Sequence, residues 1–312
     1  MFADEPLVLA SSDLSADVDR LVNGGFRLEM ITPADSPRIA ELSGHGLRVR
    51  IDTTVELSTK QAPADHDDLK GRAGMYYRDL LPDRDGGRVI ASHITIPGTG
   101  PVNDYVHHHE IDLQFLYVVR GQVKVVYEDQ GEPFWMSAGD CVLQPPHIRH
   151  QVLESVNDCE VFELASPSQH PTFVDHDLVL PTATLNPDRD FGGQRFMFDK
   201  SADETWLPAS AGWEQRILGV SEASNGAGSG RLLRAHSSED TTGPEATPSE
   251  ISIAHDEALT LLFGLDGICE FAPDATSGAR TFSSGDTISL RPGSPGTLLS
   301  KGEPCSILEV RL

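Results

Sequence analysis

The chain has 312 residues, of which 38% are hydrophobic and only 6% aromatic, and its 48 acidic against 24 basic residues leave a formal net charge of −24. That length supports about two domains, each large enough for its own core. So acidic a chain, with no segregated basic patch, excludes a nucleic-acid partner because phosphates are repelled at long range. The acidity is read as solubility.

The N-terminal stretch MFADEPLVLASSDLSADVD carries acids where a signal peptide carries a basic region, and no segment approaches the roughly 20 apolar residues of a membrane span. A soluble, cytoplasmic protein is therefore expected. Further along, SADVDRLVNGG predicts a helix with a glycine stop, FRLEMIT and LRVRID predict strands, and SPRIAELSG between them predicts a turn of helix. Residues 1–71 are thus expected to form a small α+β extension, ending in a polar run that contains DHDD.

Beyond that point the chain repeats itself. The segment HEIDLQFLYVVRGQVKVVY from His109 aligns without gaps on HDEALTLLFGLDGICEFAP from His255. Gly121 pairs with Gly267, Gly139-Asp140 with Gly285-Asp286, Pro146 with Pro292, Cys159 with Cys305 and Glu163 with Glu309, always 146 residues apart. Upstream, Ala73-Gly74 matches Ala211-Gly212 and His93 matches His236 at offsets of 138 and 143. The second copy has therefore gained residues, in the loop-like NGAGSG and SSEDTTGPEATPSE.

Within the copies, QVKVVYE, PFWMSAG, DCVLQPP, HQVLES and EVFELA, then ISLRPG, GTLLSK and CSILEVRL, read as short strands punctuated by Gly, Pro and Asp turns. Strands of this kind favour an all-β fold, two small barrels or jelly rolls, over residues 72–180 and 210–312. Residues 181–209 are a Pro/Asp/Gly-rich connector whose Phe191, Phe196, Phe198 and Trp206 suggest an arm packed on the barrels. The four cysteines, Cys141, Cys159, Cys269 and Cys305, lie far apart without a CxxC pair and are read as buried structural thiols.

Of the 12 histidines, His107, His108 and His109 are consecutive. On a strand His107 and His109 share one face while His108 points the other way, so the outer two make a chelating pair for a borderline divalent metal. His150, placed by the turn QPPHIR, offers a third imidazole. Gln114 offers an amide oxygen, as a neutral ligand or as a hydrogen-bond partner behind the ligands. Arg149 is the most attractive anion clamp for a substrate, and Tyr105, Gln144, His147, Trp135 and Phe162 are further candidates for the cavity.

The two histidines separated by one residue, then Gln114 and Gly121, followed by Gly139, Pro145-Pro146 and His150, resemble the two sequence motifs of the cupin superfamily. The resemblance covers residues 72–165 well and 210–312 more weakly, and implies tandem jelly-roll barrels, a bicupin, that pair through edge strands as a homodimer or as an internally packed pseudo-dimer. It also implies a divalent metal held by His107, His109 and His150, with Gln114 standing where the family has a carboxylate. Neutral ligands leave the ion with a charge near +2, which attracts an anionic or enolate-forming substrate. This is similar to the family's three-histidine iron dioxygenases, so an Fe(II) dioxygenase of small-molecule catabolism is the leading expectation. A Zn, Mn or Ni isomerase, lyase or decarboxylase and a non-catalytic binding cupin stand as its alternatives.

In the second copy the same positions are Ile253, His255, Thr260 and Gly296. That barrel is accordingly expected to be structural and metal-free.

Overall fold

A computed structural model describes residues 6–11, 13–54, 69–81, 84–203, 205–236, 249–253, 259–273 and 278–312. The chain divides into two compact units, Met1–Phe198 and Asp199–Leu312. Both are built on antiparallel β-structure of jelly-roll type.

In the first unit two long strands, Leu113–Tyr127 and His150–Ser166, run antiparallel along their whole length, from Leu113 opposite Ser166 to Tyr127 opposite His150. HQVLES and EVFELA, expected as separate strands, are therefore one strand. Register shifts at Val118/Arg120, Arg120/Gln122 and Lys124/Val125 let the pair bend as a barrel wall must. Ile90–Ile96 joins one side and Cys141–Gln144 the other. Val118, Val125, Met136, Val142 and Val161 fill the interior as one cluster. All four cysteines are free and buried.

The N-terminal helix spans Leu14–Asn23, where the Asp13 carboxylate caps it by accepting from the Ala16 backbone N–H at 3.0 Å. SPRIAELSG departs from expectation: Ile39–Gly44 is a strand between Arg27–Thr32 and Leu47–Asp52. Alternate residues Ala40 and Leu42 are buried, and His45-Gly46, both at positive φ (51° and 77°), turn the chain tightly into the next strand. The strand period thus overrides the local helix signal. Helix and hairpin share a core of Leu14, Ile31, Leu42, Val49 and Ile51.

This extension belongs to the barrel's own sheet. Thr172–Val174 pairs on one edge with Met30 and Ile31 and on the other with His107–His109, so the extension is two strands away from the consecutive histidines. Of the connector aromatics, Phe191 is buried in the first barrel's core, Phe196 lies 4.5 Å from the Tyr127 ring and Phe198 stacks on Phe134 at 4.5 Å. In the second unit, Trp206 carries the Arg234 guanidinium over its ring at 3.9 Å. No helix among the described residues is long and apolar enough to cross a membrane.

The second unit is organised by Thr260–Ala272 against Cys305–Arg311. Its kinship with the first is visible in the turns. Asp140 accepts from the Ser137 backbone N–H at 2.8 Å, and Asp286 accepts from Ser283 at 2.8 Å. Gly121 and Gly267 share a φ of 73° and 72°, and a Cβ on either would lie 2.5 Å from the Val156 carbonyl oxygen or 2.1 Å from that of Pro304. Alanine at either position meets both a strained backbone and a collision. Gly121→Ala and Gly267→Ala should each destabilise the fold by more than the roughly 1–2 kcal/mol of left-handed backbone strain alone. Gly98→Ala, at φ 82° with open space around it, should lose only that strain. Urea midpoints of the three variants check the ordering.

Candidate metal centre

The strand His107–His109 buries its first and third side chains and turns the middle one outward. His150 begins the long strand directly opposite His107. The Pro-Pro turn before it is tied to the histidine strand by the His147 backbone N–H, which donates to the His109 carbonyl at 3.2 Å. The ring centroids of His107 and His150 are 4.2 Å apart, those of His107 and His109 5.1 Å, and those of His109 and His150 5.2 Å. Their nitrogens form a group within 4.8 Å of one another, the one such group of three metal-binding side chains among the described residues.

Each ring is oriented through its Nδ1. His107 donates to the Tyr105 carbonyl at 2.8 Å and His150 to the Ile148 carbonyl at 3.0 Å, while the His109 Nδ1 meets the Thr172 hydroxyl at 2.8 Å. For His107 and His150 the carbonyl acceptor fixes the tautomer and leaves Nε2 with its lone pair free to bind. The His107 Nε2 is buried with no partner at all, and the His150 Nε2 accepts from the Gln144 amide at 3.0 Å. Burial drives all three imidazoles below their ordinary range, His150 to about 3, with the Arg72 cation adding to the effect. Neutral, convergent and partly unsatisfied imidazoles are the donor set a borderline divalent metal requires.

Gln114 is buried and lines the same cavity as His109 and His150. Its Nε2 donates to Glu163 Oε1 at 2.6 Å. A carboxylate only accepts, so this bond sets which end of the amide is which. The Gln114 Oε1 is left buried without a partner, suited to be a fourth, neutral oxygen donor. Glu163 is itself fully buried, and burial pushes its carboxyl up while the Gln114 bond opposes the shift.

The cavity measures about 60 Å³ and has mostly aliphatic walls; its polar lining includes Arg72, His109, Gln114, Gln144, His150 and Glu163. Ala34, from the N-terminal extension, also lines it. Gln144, one of the candidates, lines it, and Tyr105 lies beside His107, its ring edge-on at 5.7 Å and its hydroxyl pushed up to about 12 by burial.

Arg149 is placed elsewhere. Its guanidinium pairs with Asp175 at 3.2 Å and donates to the His147 carbonyl at 3.1 Å, in an open groove that also contains His108 and Phe173. The Pro turn rotates it out of the histidine cavity, a reversal that strand parity cannot foresee. His108 does face outward, but it is half-buried and stacks on Phe173 at 5.5 Å instead of being freely solvated.

The cavity's cation is Arg72, which sequence reasoning missed. A signal existed in the repeat: Arg72 precedes Ala73-Gly74, whereas Ser210 precedes the matching Ala211-Gly212. The copy that lost two of the three histidines therefore lacks this arginine too. In that second barrel Ile253 and Thr260 are buried, and a side chain at Gly296 would lie 2.7 Å from Phe271, whose ring takes the room the His150 position has in the first barrel. His255 lies outside the described residues.

Residues 93–163 match the family model for the cupin domain. The fold is similar to oxalate decarboxylase from Bacillus subtilis, with a TM-score of 0.54 and 13% identity over 81% of this chain and 78% of that one. It is also similar to the 7S globulin of Momordica charantia, with a TM-score of 0.53 and 14% identity over 79% and 82% of the two chains. No curated protein matches the sequence. Residues 93–163 thus carry a cupin domain, and the chain as a whole shares the fold of these proteins.

The depressed histidines imply a pH dependence. Above pH 6.5 each imidazole is neutral whether the chain is folded or not. Below it the unfolded chain binds protons that the folded site refuses, so stability falls with falling pH, for His150 down to about pH 3. After chelation, the urea midpoint should drop on acidification below 6.5, and more shallowly in His150→Gln. Equal slopes in the two proteins would show that His150 is not held neutral.

Proposed function

We propose that the chain is a metal-dependent enzyme of small-molecule catabolism, a dioxygenase using Fe(II) on an anionic, enolisable or phenolic substrate. The observation that carries this reading is the trio of buried, neutral imidazoles with an unpartnered Nε2 on His107. His107, His109 and His150 would hold the ion, with Gln114 Oε1 as a further donor. When bound, a divalent ion supplies Lewis-acid polarisation of a substrate oxygen and, if redox-active, one-electron chemistry toward O₂. The chain's own residues do the rest. Tyr105 and Ile148 carbonyls hold the rings in one tautomer, Glu163 holds the Gln114 amide, and the aliphatic wall keeps bulk water out, which strengthens each electrostatic contact inside. With no carboxylate among the proposed ligands, the site's positive charge is left for an anionic substrate to neutralise.

A second reading, a decarboxylase or other non-oxidative lyase using Mn, Zn or Ni, is favoured by the likeness to oxalate decarboxylase. Elemental analysis of the purified protein should find close to one transition metal per chain. His107→Ala and His150→Ala should lose it while keeping the β-sheet circular dichroism of the parent, and Gln114→Glu should retain it. Oxygen-electrode traces with enolisable acids and phenols then divide the readings: consumption matched to substrate loss supports the dioxygenase, and turnover without it supports the lyase. Metal binding with no turnover of any candidate would leave a binding protein, and absence of metal uptake would remove the site.

A further inference from the structure

Arg72 enters the cavity from a tight turn. Gly71 precedes it, at a point where any Cβ would strike the Tyr77 ring at 2.4 Å, and Ala73 and Gly74 follow at φ 53° and 76°. The turn delivers a guanidinium that is almost wholly buried, and a buried cation needs a partner. Asp104, with no exposed side-chain surface, provides it: Arg72 Nη1 donates to Asp104 Oδ1 at 2.5 Å. The other Asp104 oxygen accepts from the Val152 backbone N–H at 2.9 Å, so the anchor is braced against the His150 strand. Asp104 also lies 3.8 Å from His107 Nδ1, which links the same anchor to the histidine strand.

The pairing is incomplete. Arg72 Nε–H is buried and has no acceptor. A buried donor without a partner is destabilising, the more so on a charged group, so its retention calls for an occupant that satisfies it. The Nε edge of a guanidinium is a fork matched to the two oxygens of a carboxylate, and the bonds it makes are charge-assisted. The occupant must be small. At roughly 10–15 Å³ for each water-sized group, about 60 Å³ admits four to six such groups. That suits an acid of three carbons better than a phenolic ring bearing a carboxylate.

We propose that Arg72, held by Asp104, is the substrate-binding residue of the cavity and takes the carboxylate of a small 2-oxo or 2-hydroxy acid whose second oxygen is directed to the histidine centre. The inference rests on the metal-enzyme reading for that second oxygen, and narrows its substrate from anions in general to short carboxylic acids. It also accounts for the paired loss in the second copy, where two of the three histidine positions and the arginine position have changed together, to Ile253, Gly296 and Ser210.

The test is calorimetric titration of pyruvate, with butane-2,3-dione as its uncharged analogue, into Co(II)-loaded protein, followed in parallel by the visible Co(II) spectrum. Arg72→Gln should weaken pyruvate binding at least 30-fold while leaving Co(II) content and the weak binding of the dione unchanged. Arg72→Lys should fall between, since it keeps the charge and loses the fork. Because Arg72→Gln strands Asp104, the double variant Arg72→Gln/Asp104→Asn restores neutrality and should show the same loss. Wild-type protein that does not bind pyruvate, or a folded double variant that binds it as well as wild type, would overturn the proposal, with Nε then satisfied by water alone. Failure of Co(II) uptake would sink the metal reading separately; titration of pyruvate into the metal-free protein would still decide Arg72, with arginine-dependent heat supporting the role and its absence refuting it.

Discussion

Everything at this site depends on how three imidazoles are kept neutral inside a barrel. Burial makes the protonated form unfavourable, and each Nδ1 is engaged, by a carbonyl that fixes the tautomer at His107 and His150 and by the Thr172 hydroxyl at His109. Such an arrangement is unstable by itself: polar nitrogens are brought together away from water, and that of His107 finds nothing to bond. A divalent ion resolves the conflict, and the surrounding residues are arranged as though for one. The amide of Gln114, turned by Glu163, leaves another buried oxygen in the same condition.

The two barrels show what happens when that demand is lifted. Repeat-related turns keep their glycines and aspartates because the backbone there tolerates little else, as at Gly121 and Gly267. The interior is freer. Where the first barrel has His107 and Gln114 the second has Ile253 and Thr260, and Phe271 crowds the place of the third ligand. A packed apolar interior serves the fold as well as a polar one, so the second barrel keeps the architecture without the full set of three histidines.

Legibility in the sequence followed the length scale of the physics. The 146-residue offset, the strand alternation and the spacing of His107, His109 and His150 are local patterns, and the fold and the histidine cluster could be read from them. Arg149 was misplaced because its direction depends on the turn through Pro145-Pro146, where His147 adopts a φ of 62°. Arg72 was missed because its importance comes from Asp104, 32 residues away and brought to it only by barrel closure. The extension's part in the site was equally hidden. Thr172 bridges it to the histidine strand and bonds His109, an arrangement made by strand pairing across more than a hundred residues.

The central claim is that one ion is bound by three imidazoles and oxygen donors in the first barrel alone. X-ray absorption at the metal edge of the purified protein addresses it directly. Three nitrogen scatterers with the outer-shell pattern of imidazole, completed by oxygen, and no imidazole-bound metal in His150→Ala, is the expected spectrum. A shell containing sulfur, or an imidazole count unaffected by His150→Ala, would contradict it.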